Sequence, residues 1–138
     1  MGLLKVFTDG ASRGNPGRAG IGIVIYDENN FIITSHKEYI GISTNNQAEY
    51  TAIIRSLSLI KKLIKNNEIT EVRFFSDSEL MVNQLNLDYF TKEPELAVLN
   101  NKFQVIVRKL GINYSIHHIA RSENKHADRL ANLAIDQN

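Results

Sequence analysis

Cysteine and tryptophan are missing from this chain of 138 residues, and proline occurs only twice. Without cysteine there are no disulfides, thiolate metal sites or cysteine nucleophiles, and such a chain suits a reducing compartment, so a cytoplasmic protein is expected. An excess of one charge is missing too. Sixteen basic against 15 acidic side chains leave a formal net charge of +1, so composition alone does not announce a nucleic-acid partner. No apolar run reaches the length of a membrane span, and the opening MGLLKVFTDG turns polar too soon for a signal peptide. The length suits one sizeable core and is too short for a second, so one domain over 1–138 is expected, as a monomer and with no membrane association.

What is present is an ordered alternation of patterns. The apolar run LLKVF reads as a strand ending at Asp9, followed by the glycine-rich stretch GASRGNPG read as a loop. Two β-rich runs, Ile21–Tyr26 and Phe31–Ile40, flank Asn29-Asn30, a pair that tolerates the left-handed backbone of a tight turn. At Thr44-Asn45-Asn46-Gln47 the period changes. A hydroxyl with a Gln three residues on is a capping box, and behind it Ile53, Leu57, Ile60 and Ile64 recur at helical spacing. EVRFFSD is a fourth strand ending in Asp77, and SELMVNQLNL a short helix. Pro94 opens a helix with Leu96, Leu99, Phe103, Ile106 and Leu110 as its apolar stripe, and Gly111 stops it. INYSIHHI is a fifth strand and Asn124 to Ile135 a last helix. The order βββαβααβα predicts an α/β fold, one mixed sheet covered by helices.

Four acids occupy related places in this pattern. Asp9 and Asp77 each close an apolar strand beside a small hydroxyl residue, in TDG and SDS. Glu49 lies in the first turns of the long helix, hemmed by Ala48, Ala52 and Ile53, and Asp128 lies in the last helix between Ala127 and Leu130. Each alone could be a turn residue or a helix-end charge. Converging, four carboxylates would repel one another and some would be forced to protonate. A divalent cation removes the conflict, and an all-oxygen set with no Cys suits Mg²⁺ or Mn²⁺ rather than Zn²⁺. Two such ions about 4 Å apart can activate a water and stabilise the leaving oxygen of a phosphodiester, so the acids point to metal-assisted phosphodiester hydrolysis.

The blocks TDGASRGNPG, STNNQAEYTA, SDSELMVNQL and ENKHADRLAN, in this order, resemble the four signature blocks of type 1 ribonuclease H, and the resemblance runs over nearly the whole chain. It implies a five-stranded mixed sheet and cleavage of the RNA strand of RNA–DNA hybrids with Mg²⁺ or Mn²⁺, leaving a 3′-hydroxyl and a 5′-phosphate. By motif, the metal-binding and catalytic acids fall on Asp9, Glu49, Asp77 and Asp128. The same match places Gly10, Arg13, Asn15, Thr44, Asn45 and Asn46 against the minor groove of the hybrid. A near-A-form duplex shows its 2′-hydroxyls in a wide, shallow groove, where short amides and backbone can read them.

Two departures stand out. Many relatives carry a His on a loop shortly before the last acid; here the loop is ARSEN, with Arg121 at about that place, where it could touch a phosphate. Neither His118 nor His126 takes the role, and Glu123 is read as a solvated acid. Some relatives also carry a basic insertion, whereas the link LDYFTKEPE holds Lys92 as its only base beside Asp88, Glu93 and Glu95, which predicts weaker hybrid binding. Two alternatives stay open: a non-catalytic hybrid-binding module on the same fold, against which the retention of all four acids counts, and another nuclease or strand-transfer enzyme of the same architecture.

Overall fold

The computed structural model describes residues 2–87 and 90–138. Five strands, β1 (Leu3–Gly14), β2 (Gly17–Tyr26), β3 (Ile32–Ser43), β4 (Glu71–Ser76) and β5 (Asn113–His118), form one sheet in the order β3-β2-β1-β4-β5. β1, β2 and β3 pair antiparallel, while β1–β4 and β4–β5 are parallel. The helices are α1 (Asn45–Asn66), α2 (Glu79–Leu85), α3 (Pro94–Leu110) and α4 (Lys125–Asp136), with a single 3₁₀ turn at Arg121–Glu123. The expected mixed α/β architecture is what forms.

Strand alternation divides the sheet into two faces. Leu4 and Val6 of β1, Ile21, Ile23 and Ile25 of β2, and Val72 and Phe74 of β4 are buried on one face beneath α1, α2 and α3. Each such side chain contributes about 1.5–3 kcal/mol by leaving water. α4 lies against the other face, over β2, and it comes close because Gly20 and Gly22 carry no side chain. A Cβ on Gly22 would stand 2.1 Å from the Ala127 carbonyl oxygen, and one on Gly20 2.5 Å from that of Ala131. The small residues Ala127, Ala131 and Ala134 complete the seam.

The structure differs from the expectations at several points. β1 does not end at Asp9: it runs on through the glycine-rich stretch, pairing Asp9 with Gly22 and finally Gly14 with Gly17. The backbone there is spent on a hairpin ladder rather than a loop, and Asp9 is a mid-strand residue. β2 accordingly begins at Gly17 and β3 continues to Ser43. The turn between them is set by Asp27, whose Oδ1 accepts from the Asn29 and Phe31 N–H groups while Asn30 takes φ 67°. In α3 the buried face is Leu96, Asn100, Phe103 and Val107, with Leu99, Ile106 and Leu110 only partly buried. Asn100 is tolerated because Nδ2 donates to the Gln84 carbonyl at 3.0 Å and Oδ1 accepts from Gln104 at 3.3 Å. The capping box is formed as expected, with Thr44 Oγ1 accepting from Gln47 N–H and Gln47 Oε1 from Thr44 N–H. Gly111 stops α3 at φ 64°. Of the link before α3, Asp88 lies outside the described residues.

Candidate active site

Sheet register brings the first two acids together. In the parallel β1–β4 pair Phe7 stands opposite Phe75, and each acid lies two residues further on: Asp9 within β1, Asp77 one residue past the end of β4. Strand residues two apart point to the same face, and neighbouring strands run about 4.8 Å apart, so the two carboxylates emerge side by side. Glu49 is the fifth residue of α1, just beyond the first turn that the capping box at Thr44 and Gln47 holds. Gly10 lets that helix approach, since a Cβ there would lie 2.3 Å from the Ala48 carbonyl carbon. The Gly10 N–H then donates to Asp9 Oδ1 at 3.0 Å and to Glu49 Oε1 at 3.1 Å. One carboxylate oxygen from each of Asp9, Glu49 and Asp77 falls within 4.8 Å of the others. Asp128, in the first turn of α4, lines the same cleft but stands outside that three-acid group.

Burial and mutual repulsion disfavour full ionisation of the cluster. Asp9 is 4% exposed and Glu49 5%. Burial, reinforced by the charge of Asp77 and by the hydrogen bonding and charge of Asp128, pushes Asp9 up to about 8. Burial, then Asp9 and Asp77, holds Glu49 well above the usual carboxylate range. Burial also raises Asp77, against the opposing pull of the neighbouring Asn124 side chain and the Arg121 guanidinium. Asp77 Oδ2 is buried and finds no hydrogen-bond partner among the described residues. Three converging carboxylates with an unpartnered inward oxygen fit a divalent metal with oxygen ligands.

A cleft of about 400 Å³ opens over these acids, and Gly10, Asn45 and Arg121 line it together with Ser12, Ser78 and Asn132. The other sequence candidates have different surroundings. Thr44 spends its hydroxyl on the cap, and Asn46 is exposed at the start of α1 and does not line the cleft. Asn15 Oδ1 accepts from the Asn45 N–H at 3.0 Å, tying the hairpin tip to α1. Arg13 turns to α4, where Nη1 donates to Asp136 Oδ1 at 2.6 Å and Nη2 to Asn132 Oδ1 at 3.2 Å. His118 is exposed at the end of β5. His126 Nδ1 lies 3.4 Å from the Tyr26 hydroxyl, and the exposed Glu123 accepts from the Ala120 N–H.

Two residues escaped the sequence reading. Asn124, 2% exposed, donates from Nδ2 to the Thr8 carbonyl at 2.9 Å and so pins the start of α4 to β1 beside Asp9. Asn132 donates to Asp128. Both stand four residues from Asp128, one helical turn either way, and that spacing was the available signal.

The sequence profile of the family described as "Reverse transcriptase-like" matches residues 7–134. The chain is 36% identical over 135 residues to Ribonuclease HI of Halobacterium salinarum, covering 98% of this chain and 65% of that protein. It is 38% identical over 130 residues to the Bifunctional protein Rv2228c of Mycobacterium tuberculosis, covering 93% of this chain and 34% of that one. This chain thus spans about two thirds of the first relative and about a third of the second. Among solved structures it is similar to LC11-RNase H1 in complex with RNA/DNA hybrid, at a TM-score of 0.92 and 41% identity, over 97% of both chains. The similarity thus extends through the sheet, its strand order and the helices that carry the acids, and the chain belongs to the ribonuclease H family.

Proposed function

We infer that this protein is an endonuclease that hydrolyses the RNA strand of RNA–DNA hybrids. The observation that carries the inference is the convergence of Asp9, Glu49 and Asp77 beneath one cleft, on a fold whose relative LC11-RNase H1 is solved with an RNA/DNA hybrid. Asp9, Glu49, Asp77 and Asp128 are the proposed catalytic and metal-binding acids. Mg²⁺ or Mn²⁺, as two ions with substrate bound, would supply charge neutralisation and Lewis acidity at the scissile phosphate.

The chain's own residues do the rest. The Gly10 N–H holds one oxygen of Asp9 and one of Glu49, which fixes both carboxylates in place. Arg121, which lines the cleft and whose charge lowers Asp77, would pair with a phosphate oxygen of the substrate or with the new 5′-phosphate. Asn15 and Asn45, joined at the hairpin tip, offer short amides and backbone to the minor groove, with Gly10, Thr44, Asn46 and Arg13 on the same approach. Water adds to phosphorus, the bond to the 3′-oxygen breaks, and that oxygen leaves with a proton, giving a 3′-hydroxyl and a 5′-phosphate. No helix among the described residues is long and apolar enough to cross a membrane. We place the protein in the cytoplasm as a monomeric single domain over 1–138.

The test is cleavage of a labelled RNA–DNA hybrid with Mg²⁺, Mn²⁺ or EDTA, using wild type and Asp9→Asn, with double-stranded RNA and DNA as controls. Metal-dependent cutting of the RNA strand, lost in Asp9→Asn, is expected. Binding without cutting under either metal would favour a non-catalytic hybrid-binding module.

A further inference from the structure

The fourth carboxylate is held differently from the other three. Asp128 stands outside the tight group, and its oxygen Oδ1 receives a hydrogen bond from Asn132 Nδ2 at 3.3 Å. The same Nδ2 donates to the Asp128 carbonyl at 3.0 Å, which anchors the amide one turn along α4. Asn132 Oδ1 is engaged in turn: it accepts from Arg13 Nη2 at 3.2 Å. Arg13 itself is fixed at its other nitrogen by Asp136 Oδ1 at 2.6 Å. A carboxamide has one donor end and one acceptor end. Here the cation takes the acceptor end, so the donor end is turned to the acid. Asn132 also lines the cleft over the acids.

We propose that Asn132 is a positioning residue for Asp128, oriented by Arg13 from the tip of the β1–β2 hairpin. The inference rests on the reading of this cleft as a hybrid-cleaving site. The arrangement differs from a plain structural tie in one respect. A residue that only tethered Arg13 to α4 could equally be an Asp, which would hold the guanidinium more strongly as an ion pair. An Asp, however, has no proton to offer Asp128 and sets a like charge beside it. The amide is the side chain of this size that satisfies both neighbours. Groups that orient a metal-binding side chain from behind typically change metal affinity or activity by about 10–100-fold when removed.

The experiment compares Asn132→Ala and Asn132→Asp with wild type in three measurements. Steady-state cleavage of a labelled RNA–DNA hybrid should show kcat lowered about tenfold or more in both variants, with KM for the hybrid within about twofold. Mn²⁺ binding to the free protein, followed by calorimetry, should be weakened several-fold in Asn132→Ala. Thermal melting in EDTA should leave Asn132→Ala close to wild type. Full kcat in Asn132→Asp would overturn the proposal, because the tether to Arg13 would then be sufficient. Unchanged kcat and Mn²⁺ affinity in Asn132→Ala would overturn it as well. A wild type that cuts no hybrid would instead count against the proposed activity. The Mn²⁺ measurement needs no turnover and would still decide the role of Asn132.

Discussion

Replacing Asp9 by Asn should abolish cleavage and at the same time stabilise the metal-free protein. Asp9 is 4% exposed, and its carboxyl is shifted from 3.8 to about 8 by burial and by the charges of Asp77 and Asp128. Because the folded value lies above the unfolded one, the native state keeps a proton that the unfolded chain has already lost. Stability without metal therefore falls as pH rises between about 4 and about 8, and levels off above that window. The full shift of about 4 units corresponds to an upper limit of about 6 kcal/mol. Asp9 and the adjacent Glu49 titrate together, which spreads the cost, so about 2–3 kcal/mol is expected for Asp9 alone. The substituted carboxamide cannot ionise, yet its oxygen can still accept from the Gly10 N–H. At about 3 °C per kcal/mol for a domain of this size, the variant should melt roughly 6–9 °C above wild type near pH 8 in EDTA. The two should converge near pH 4, about where an unfolded Asp titrates. Excess Mg²⁺ should narrow the gap by stabilising wild type, more so at the alkaline end, where the acids no longer need to release protons to bind it. Equal melting temperatures near pH 8 in EDTA, or a wild type whose stability rises with pH, would refute the reasoning.

Three further outcomes follow from the same geometry. Gly22→Ala places a methyl group 2.1 Å from the Ala127 carbonyl oxygen and should cost about 2–4 kcal/mol in urea unfolding, with activity falling further as α4 carries Asp128 away; a wild-type midpoint would contradict the packing described. Arg121→Ala removes a positive charge that lowers Asp77, so the acidic limb of the pH–rate profile should move to higher pH, and kcat/KM should fall about tenfold, with Arg121→Lys restoring part of it; an unmoved limb would separate Arg121 from the acids. Grafting a basic segment into the link 87–95 should tighten hybrid binding and steepen its log–log salt dependence by about 0.7–0.9 for each additional phosphate neutralised, and equal affinity in a fluorescence-anisotropy titration would rule out the missing basic insertion as a cause of weak binding.

Local signals in the sequence were enough for the order of elements, the capping box at Thr44 and the stop at Gly111, and they singled out Asp9, Glu49 and Asp77, three carboxylates that the fold brings together. Those features depend on a few adjacent residues and on short periods, so they survive without knowledge of the fold. The proposed acids also stand out by motif, because their neighbours TDG, NNQAE, SDS and HADRLAN lie in the same short blocks. Tertiary structure decided what no window of ten residues contains. The glycine-rich stretch became the second half of β1 because β2 was available to pair with it, and a hairpin ladder satisfies backbone that a loop would leave to water. Asp9 and Asp77 became neighbours through the parallel register that sets Phe7 against Phe75, a pairing between residues nearly seventy positions apart. Gly20 and Gly22 took their meaning from α4, more than a hundred residues away, and Arg13 turned to that helix because Asp136 and Asn132 were there to receive it. Sequence carries the chemistry of each side chain, whereas the distances at which carboxylates repel, share a proton or hold a cation arise only when the sheet and its two helix layers close.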